Sequence, residues 1–237
     1  MFNKNSKQDV RSPLKWAGGE KKVLQHIRSI LPSKGKKRLV EPFVGGGSVF
    51  LNLDFDEYLL CDTNNDLISL YKAVKRAPIK FEQDARSFFT ETNNTLERYY
   101  ELREQLNNTQ EPYQRALLFL YLNRHGYNGL CRYNKSGGYN VPFGRYKKPY
   151  FPEHEIGHLA TKLKKASFIV GDFEQAFSHL NESDVVFSLY RKYSVLNEQE
   201  INEENNKVCS LGREDLIERR SYNTHSSERD QQLLINL

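Results

Sequence analysis

The feature that most constrains the fold is a short apolar run that ends in a glycine turn. Residues 38–43 are largely apolar and lead into the glycines at 45–47, an order typical of a buried strand followed by a tight turn. A second apolar run, residues 58–61, ends at Asp62, and residues 66–74 then carry apolar side chains at helical spacing. This alternation of strand and helix predicts a parallel α/β sheet.

The same alternation continues along the chain. Helices are predicted at 81–91, 96–106, 113–124 and 153–165, and strands at 166–171 and 184–187. The third of these helices is too apolar for an exposed face, so we expect the helices between the second and third strands to form an insert against the core. Residues from 191 onward are rich in Asn and Glu and have few apolar side chains. We therefore expect the C-terminal part of the sheet to be incomplete.

One long segment, residues 112–152, contains no Asp or Glu. Its glycines and prolines predict loops and hairpins over most of its length. Cations neutralise phosphates and flat rings stack on unpaired bases, so the pattern favours nucleic-acid binding. The alternative is a solvated basic loop with half-buried tyrosines as anchors. The seven cations, which alternate with tyrosines and phenylalanines, are Arg115, Arg124, Arg132, Lys135, Arg145, Lys147 and Lys148.

The rest of the composition restricts the class of protein only mildly. The formal charge of the 237 residues is +5, which by itself names no partner. No apolar run approaches the roughly 18 residues needed to span a bilayer, and the N-terminus has no apolar signal core, so we expect a cytoplasmic protein without membrane contact. The cysteines are odd in number and far apart in sequence, which predicts reduced thiols and no metal site.

The glycine turn and the acid after the second strand together indicate a nucleoside site. Glycines let a ligand approach the backbone, and a carboxylate such as Asp62 accepts hydrogen bonds from ribose hydroxyls. Phe50 stands where a dinucleotide fingerprint would have its third glycine, so a single nucleoside such as S-adenosylmethionine fits better than a pyrophosphate cofactor. The alternative is an ordinary glycine turn in which Asp62 caps the following helix.

Four separate motifs closely resemble the Dam family of DNA adenine-N6 methyltransferases and occur in the family's order. The resemblance extends from about residue 14 to residue 187. It implies a Rossmann-like methyltransferase sheet with an inserted helical and loop region for target recognition. The motifs are Leu-Lys-Trp-Ala-Gly-Gly at 14–19, Leu-Val-Glu-Pro-Phe-Val-Gly-Gly-Gly-Ser-Val-Phe at 39–50, Asp62 with Asp-Leu-Ile at 66–68, and Tyr-Leu-Asn-Arg-His-Gly-Tyr-Asn-Gly-Leu-Cys-Arg-Tyr-Asn at 121–134 with Val-Pro-Phe-Gly at 141–144.

The resemblance also implies roles for individual residues. S-adenosylmethionine is expected to be the cofactor and double-stranded DNA with a GATC-type site the substrate, bound by a monomer. The alternatives are that Trp16 is a core residue, that Asp172 is a helix cap, and that His125 is structural. The cofactor-binding residues by resemblance are Trp16, Phe43, Gly45, Gly47, Asp62 and Asp172. The base-reading residues are Lys15, Tyr127, Asn128, Leu130, Arg132 and Pro142, and the phosphate-binding residues are Arg124, Arg145, Lys147 and Lys148.

The sequence departs from the family after the strand that ends near Phe187. The family has a catalytic Asp-Pro-Pro-Tyr at this point, and here the residues are Ser-Leu-Tyr-Arg-Lys-Tyr. The catalytic residues are therefore unknown. Three readings stay open: an adenine-N6 methyltransferase impaired in methyl transfer, a catalytically silent DNA-binding homologue, or a non-functional remnant.

The resemblance divides the chain into three parts. Residues 10–75 and 153–190 are expected to form the cofactor-binding core. Residues 76–152 are expected to form the inserted target-recognition region, and residues 191–237 a degenerate or shortened C-terminal segment.

Overall fold

A computed structural model of the chain describes residues 9–16, 21–31, 37–188 and 233–236. They form two compact units. The sheet unit comprises residues 37–44, 54–63, 167–188 and 233–236, and the helical unit comprises residues 9–16, 21–31, 45–53 and 64–166. These two units are defined by their compactness. The division into cofactor-binding core, recognition region and C-terminal segment is instead based on expected function, and it stays a prediction.

The sheet unit has five strands in the order β3-β2-β1-β4-β5. Strand β1 runs parallel to β2 and β4, and β5 runs antiparallel to β4. Strand β3 runs parallel to β2. The Ser167 hydroxyl donates to the carbonyl of Tyr58 near the start of both strands, and the Gly171 amide donates to the carbonyl of Asp62 at their end. The four parallel strands confirm the predicted α/β class. The strands are β1 Arg38–Glu41, β2 Glu57–Asp62, β3 Ala166–Val170, β4 Asp184–Ser188 and β5 Leu233–Asn236.

The expectation of an incomplete C-terminal sheet concerns mainly residues 189–232, which lie outside the described residues. The four residues beyond them, Leu233–Asn236, form β5. They add an antiparallel edge strand to the sheet at Val185–Ser188 of β4.

Apolar side chains and one ion pair hold the sheet unit together. Val40, Leu59 and Val186, from three neighbouring strands, are buried against helix α8, Phe173–Phe177. Arg38 of β1 lies opposite Asp184 of β4, and its Nε donates to Asp184 Oδ1 over 2.9 Å. This hydrogen bond to a nearly buried carboxylate raises the pKa of Arg38. The pair thus fixes the register of β1 against β4.

The helical unit is built around α6, whose residues 116–125 are all buried, as its apolar sequence predicted. Helix α4 starts at Pro78, earlier than predicted, because proline suits the first turn of a helix. Side chains of Asn64, Thr95 and Glu111 cap α3, α5 and α6. The helices are α1 Lys21–Ile30, α2 Ser48–Asn52, α3 Asn65–Arg76, α4 Pro78–Arg86, α5 Leu96–Asn108, α6 Pro112–His125 and α7 Glu153–Leu163.

A buried ion pair is the centre of a polar cluster that joins four parts of the helical unit. Asp66, in the first turn of α3, is 2% exposed and accepts from Arg115 Nε at 2.6 Å and Nη2 at 3.0 Å. Nη1 of the same arginine donates to the carbonyls of Leu106 and Thr109, both at 2.8 Å. The hydroxyl of Tyr133 completes the arrangement by donating to Asp66 Oδ2 at 2.7 Å. Helices α3 and α6, the end of α5 and the segment around residue 133 thus share one polar anchor.

His125, at the end of α6, is a structural residue, as one reading of the sequence proposed. It is 1% exposed, and its ring stacks on Tyr121 with centroids 3.9 Å apart. Its Nδ1 lies 2.9 Å from the Tyr121 carbonyl. Burial, together with the nearby charges of Lys15 and Arg124, lowers its pKa from 6.5 to about 4.

The thiols and the helices show no sign of metal binding or membrane insertion within the described ranges. Cys61 and Cys131 are not in disulfide bonds, and Cys209 lies outside these ranges. Among the residues with assigned structure, no three His, Cys, Asp or Glu side chains are grouped as metal ligands would be. No helix in that part of the chain has the length and apolarity to cross a bilayer.

We predict that Asp66→Asn destabilises the fold by about 3 kcal/mol, because it leaves the charge of Arg115 without its buried partner. Chemical denaturation of the wild type and the variant measures this difference. Glu101→Gln is the control, since Glu101 pairs with Arg98 on the surface. It should cost less than about 1 kcal/mol. Equal costs for the two variants would contradict a central role for the buried pair.

We also predict that acid destabilises the protein through His125. The unfolded chain binds a proton near pH 6.5, whereas the folded chain binds it only near pH 4. The contribution of neutral His125 to the free energy of unfolding should therefore be fully present above pH 6.5. It should fall by up to about 3 kcal/mol as the pH drops toward 4. His125→Gln should flatten this dependence in denaturation curves, and the exposed control His154→Gln should not. An unchanged slope in His125→Gln would rule out this assignment.

Candidate functional site

In the sheet unit, three predicted cofactor residues lie at the carboxyl ends of neighbouring strands. Phe43, Asp62 and Asp172 follow or end β1, β2 and β3 in turn. Backbone hydrogen bonds hold these ends side by side, from Val44 to Cys61 at 2.9 Å and from Gly171 to Asp62 at 3.0 Å. The carboxyl ends of parallel strands are the usual ligand-binding edge of an open α/β sheet.

The chemistry of this edge suits an adenosine group. The ring of Phe43 is 43% exposed and packs against Phe173 with centroids 5.6 Å apart. An exposed aromatic ring offers a stacking surface, and the carboxylates of Asp62 and Asp172 are acceptors for hydroxyl and amino groups. The side chains at this edge therefore fit a purine nucleoside that carries a ribose.

The alternative capping roles have different outcomes for the two acids. Asp172 caps α8, since its side chain accepts from the amide of Glu174 at 3.4 Å, and it is nevertheless exposed. Asp62 does not cap α3, because Asn64 Oδ1 accepts from the amides of Asp66 and Leu67 at 3.0 and 3.1 Å. Asp62 is half-buried at the end of β2. The capping alternative therefore holds for Asp172, and it does not hold for Asp62.

Cys61, beside Asp62, is not a reactive thiol. Burial and the charges of Asp62 and Asp172 raise its pKa to about 11. Its Sγ lies 3.4 Å from the Gly171 carbonyl, which it reaches as a weak donor. Cys61 thus supports the edge without taking part in nucleophilic chemistry.

In the helical unit, the glycine turn lies under the indole of Trp16. Gly45 has a left-handed φ of 48°, and a Cβ atom there would lie 2.7 Å from Trp16 Nε1. The hydroxyl of Tyr71 fixes the turn by donating to the Gly45 carbonyl at 2.7 Å. Trp16 is half-buried rather than part of the core, and Gly47 also has a positive φ. A glycine is therefore required at position 45 for the ring and the backbone to meet.

The acid-free segment forms loops and a hairpin after α6, as predicted. A 3₁₀ turn at Tyr127–Gly129 is followed by β-bridges between Tyr133 and Tyr139 and between Gly126 and Phe143. Asn134 Oδ1 accepts from the amides of Ser136 and Gly138 and closes the hairpin turn. The hairpin presents alternate side chains outward.

Five of the predicted base-reading residues are exposed in this segment. Tyr127 is 51% exposed and Leu130 42%. The exposed set combines an aromatic ring, apolar groups, an amide and a guanidinium, which are the groups that contact base edges and methyl groups. We call this set the recognition surface; it consists of Tyr127, Asn128, Leu130, Arg132 and Pro142.

Lys15, the sixth predicted reader, is tied to this segment by contacts that the sequence did not reveal. Asn123 on α6 accepts from the Lys15 amide at 2.7 Å and donates to the carbonyls of Lys15 and Gly129. Lys15 Nζ lies 3.6 Å from the ring centroid of Tyr146. The Tyr146 hydroxyl in turn accepts from the amide of Asn128 at 3.0 Å. The position of Asn123 inside the longest motif indicated a role for it, whereas Tyr146 lies two residues beyond that motif.

The cations of the acid-free segment differ in exposure. Arg115 is engaged with Asp66, and Arg124 is 9% exposed, with Nε donating to the Tyr150 carbonyl at 3.0 Å. Burial lowers the pKa of Arg124, and its geometry favours holding the Tyr150 loop over reaching a phosphate. The exposed cations are Arg132, Lys135, Arg145, Lys147 and Lys148.

The expected catalytic position adjoins β4. Phe187 is buried in β4, and the strand ends at Ser188. The residues that follow Ser188, where Asp-Pro-Pro-Tyr was expected and not found, lie outside the described residues.

Comparison with known proteins agrees with this arrangement. Residues 16–188 match the profile of the D12 class N6 adenine-specific DNA methyltransferases. The chain is 53% identical over 177 residues to the DNA adenine methylase of Escherichia coli strain K12, with 75% of this chain and 63% of that protein covered. The DNA adenine methylases of Serratia marcescens and Vibrio cholerae strain ATCC 39541 are 51% and 48% identical over the same 75% of the chain. This chain thus spans 63% to 65% of the length of these relatives.

The matched range includes all four parallel strands, the glycine turn and the recognition surface. It ends at the last residue of β4. The sheet edge, the turn under Trp16 and the exposed hairpin are therefore parts of one family pattern, and the chain belongs to the D12 class of N6 adenine-specific DNA methyltransferases.

Proposed function

We propose that the chain is a Dam-type adenine-N6 methyltransferase that uses S-adenosylmethionine and acts on GATC-like sites in double-stranded DNA. The relatives named DNA adenine methylase support the reaction class. The observation that carries the proposal is the recognition surface, an exposed mixture of polar, apolar and aromatic side chains on an acid-free segment. A monomer in the cytoplasm is the simplest setting for this activity.

The recognition surface suits the major groove of a GATC site. Arg132 is exposed, and a guanidinium bonds the N7 and O6 atoms of guanine in the major groove. Leu130 and Pro142 offer apolar contact to a thymine methyl group. The exposed cations Arg145 and Lys147, with Lys148, lie close in sequence to this surface and suit phosphate contacts that position the duplex.

The residues proposed to bind the cofactor follow the family resemblance and are described for each unit by itself. In the sheet unit, Asp62 would accept from the ribose hydroxyls, Phe43 would stack on the adenine and Asp172 would accept from its amino group. In the helical unit, Trp16 and the glycine turn with Gly45 and Gly47 are the residues that the family resemblance assigns to cofactor binding. When bound, S-adenosylmethionine supplies the methyl group, and the residues of this chain orient it.

A second candidate function is a catalytically silent reader of the same DNA sites. Adenine N6 is a poor nucleophile because its lone pair is delocalised into the ring, so methyl transfer needs acceptors that draw the flipped base into position. The sequence between Asp184 and Glu198 contains no carboxylate. This observation favours binding without transfer, and a remnant without function would show neither.

Methyl transfer separates these candidates. The full chain is incubated with GATC duplex and cofactor carrying a labelled methyl group, and label on adenine N6 is the outcome expected for the proposed enzyme. Asp62→Ala should lower cofactor affinity about 10- to 100-fold, because it removes hydrogen bonds to a charged group. Glu57→Gln is the matched control at the opposite end of β2. Selective DNA binding without label would support the silent reader, and the absence of both would support the remnant.

We predict that Arg132→Ala weakens discrimination at one guanine of the site more than it weakens total binding, by about 1–3 kcal/mol. Lys147→Ala should instead weaken binding to all duplexes alike and lower its salt dependence. Affinities for GATC duplexes and for duplexes with one base pair changed, each at two salt concentrations, measure both effects. A uniform loss in Arg132→Ala would show that Arg132 contacts a phosphate.

A further inference from the structure

We propose that Tyr133 is a positioning residue that sets the geometry of Leu130 and Arg132 for base reading by anchoring the hairpin to Asp66. This inference rests on the proposed function of the recognition surface. It assigns a specificity role to a side chain that faces away from that surface.

The alternation of side chains along the hairpin separates reading from anchoring. Arg132 and Asn134 are exposed, whereas Tyr133 between them turns inward. Its hydroxyl donates to Asp66 Oδ2 at 2.7 Å and lies 3.4 Å from Asn64 Oδ1. Burial and the charge of Asp66 raise the pKa of Tyr133, so the hydroxyl remains a donor at physiological pH.

The acceptor is itself immobilised. Asp66 is held by the fork of Arg115, and Arg115 is fixed by two carbonyls at 2.8 Å. Asn64, the cap of α3, also donates from Nδ2 to Cys131 Sγ at 3.2 Å. Both inward side chains of this hairpin arm, Cys131 and Tyr133, are therefore bonded to residues at the start of α3.

The placement of the outward side chain of Arg132 depends on the position of the same hairpin arm. Arg132 Nε donates to Asn140 Oδ1 at 2.8 Å, and the Asn140 amide donates to the Arg132 carbonyl at 3.1 Å. The two hairpin arms also meet through the rings of Tyr133 and Tyr139, with centroids 5.5 Å apart. A shift of the Tyr133 backbone thus shifts the guanidinium of Arg132 with it. Bidentate base contacts tolerate only small displacements, because hydrogen bonds weaken steeply with distance and angle.

The chain offers a matched control for the hydroxyl. Tyr113 also donates to an aspartate, Asp84 Oδ2 at 2.8 Å, in the same unit but at the start of α6. Tyr133→Phe and Tyr113→Phe each remove one oxygen atom and one hydrogen bond to a carboxylate. They differ in that the first bond holds the hairpin and the second does not.

The decisive measurement is the ratio of affinities for a GATC duplex and for a duplex with one guanine of the site replaced. We expect Tyr133→Phe to lower this ratio about tenfold while its affinity for the replaced duplex stays within about twofold of wild type. Tyr113→Phe should keep the wild-type ratio. A purely structural loss would not change the ratio, since it removes binding-competent protein equally for both duplexes.

A wild-type ratio in folded Tyr133→Phe overturns the inference, and so does an equal loss in both variants. A wild-type chain that does not discriminate at all overturns the proposed function and this inference with it. Hydrogen exchange of the wild type provides a test that needs no variant. The amides of Gly138 and Asn140 should exchange as slowly as those of α3 in the absence of DNA, and rapid exchange of these two amides would also overturn the inference.

Discussion

The ion pair between Asp66 and Arg115 is the contact on which the helical unit depends most. A buried carboxylate is costly unless its charge and its lone pairs are both satisfied. Asp66 meets this condition only when α3, α6 and the hairpin occupy their observed positions together, because its donors come from Arg115 and Tyr133. The polar requirement of one side chain thus specifies an arrangement that apolar packing alone would leave less defined.

The absence of acids between residues 112 and 152 has a physical basis in this arrangement. Inward tyrosines of the hairpin fill space with their rings while their hydroxyls bond backbone or carboxylate oxygens, as Tyr133 and Tyr139 do. The outward side chains are free to be cationic or apolar. An acid on the outward side would repel phosphate, and an acid on the inward side would compete with Asp66 for donors.

Much of the fold and part of the site could be predicted from the sequence. The strands, the glycine turn, Asp62 and the hairpin all depend on local patterns of apolar residues, glycine and chain direction. The internal contacts of Arg115 and Arg124 could not be predicted, because counting charges does not reveal which cations bind partners inside the fold. Asn123 and Tyr146 were missed for the same reason, since their contacts with Lys15 join residues far apart in sequence.

The residues proposed for binding and those expected to act in methyl transfer occupy different stretches of the sequence. Every residue proposed to contact cofactor or DNA precedes the end of β4 at Ser188, whereas the acceptors that would position adenine N6 are expected immediately after it. Among the described residues, the sheet edge is formed by the ends of β1, β2 and β3, and the hairpin is bonded to α3, α5 and α6. The proposed function therefore assigns recognition to residues that precede the end of β4 and the transfer step to the residues that follow it.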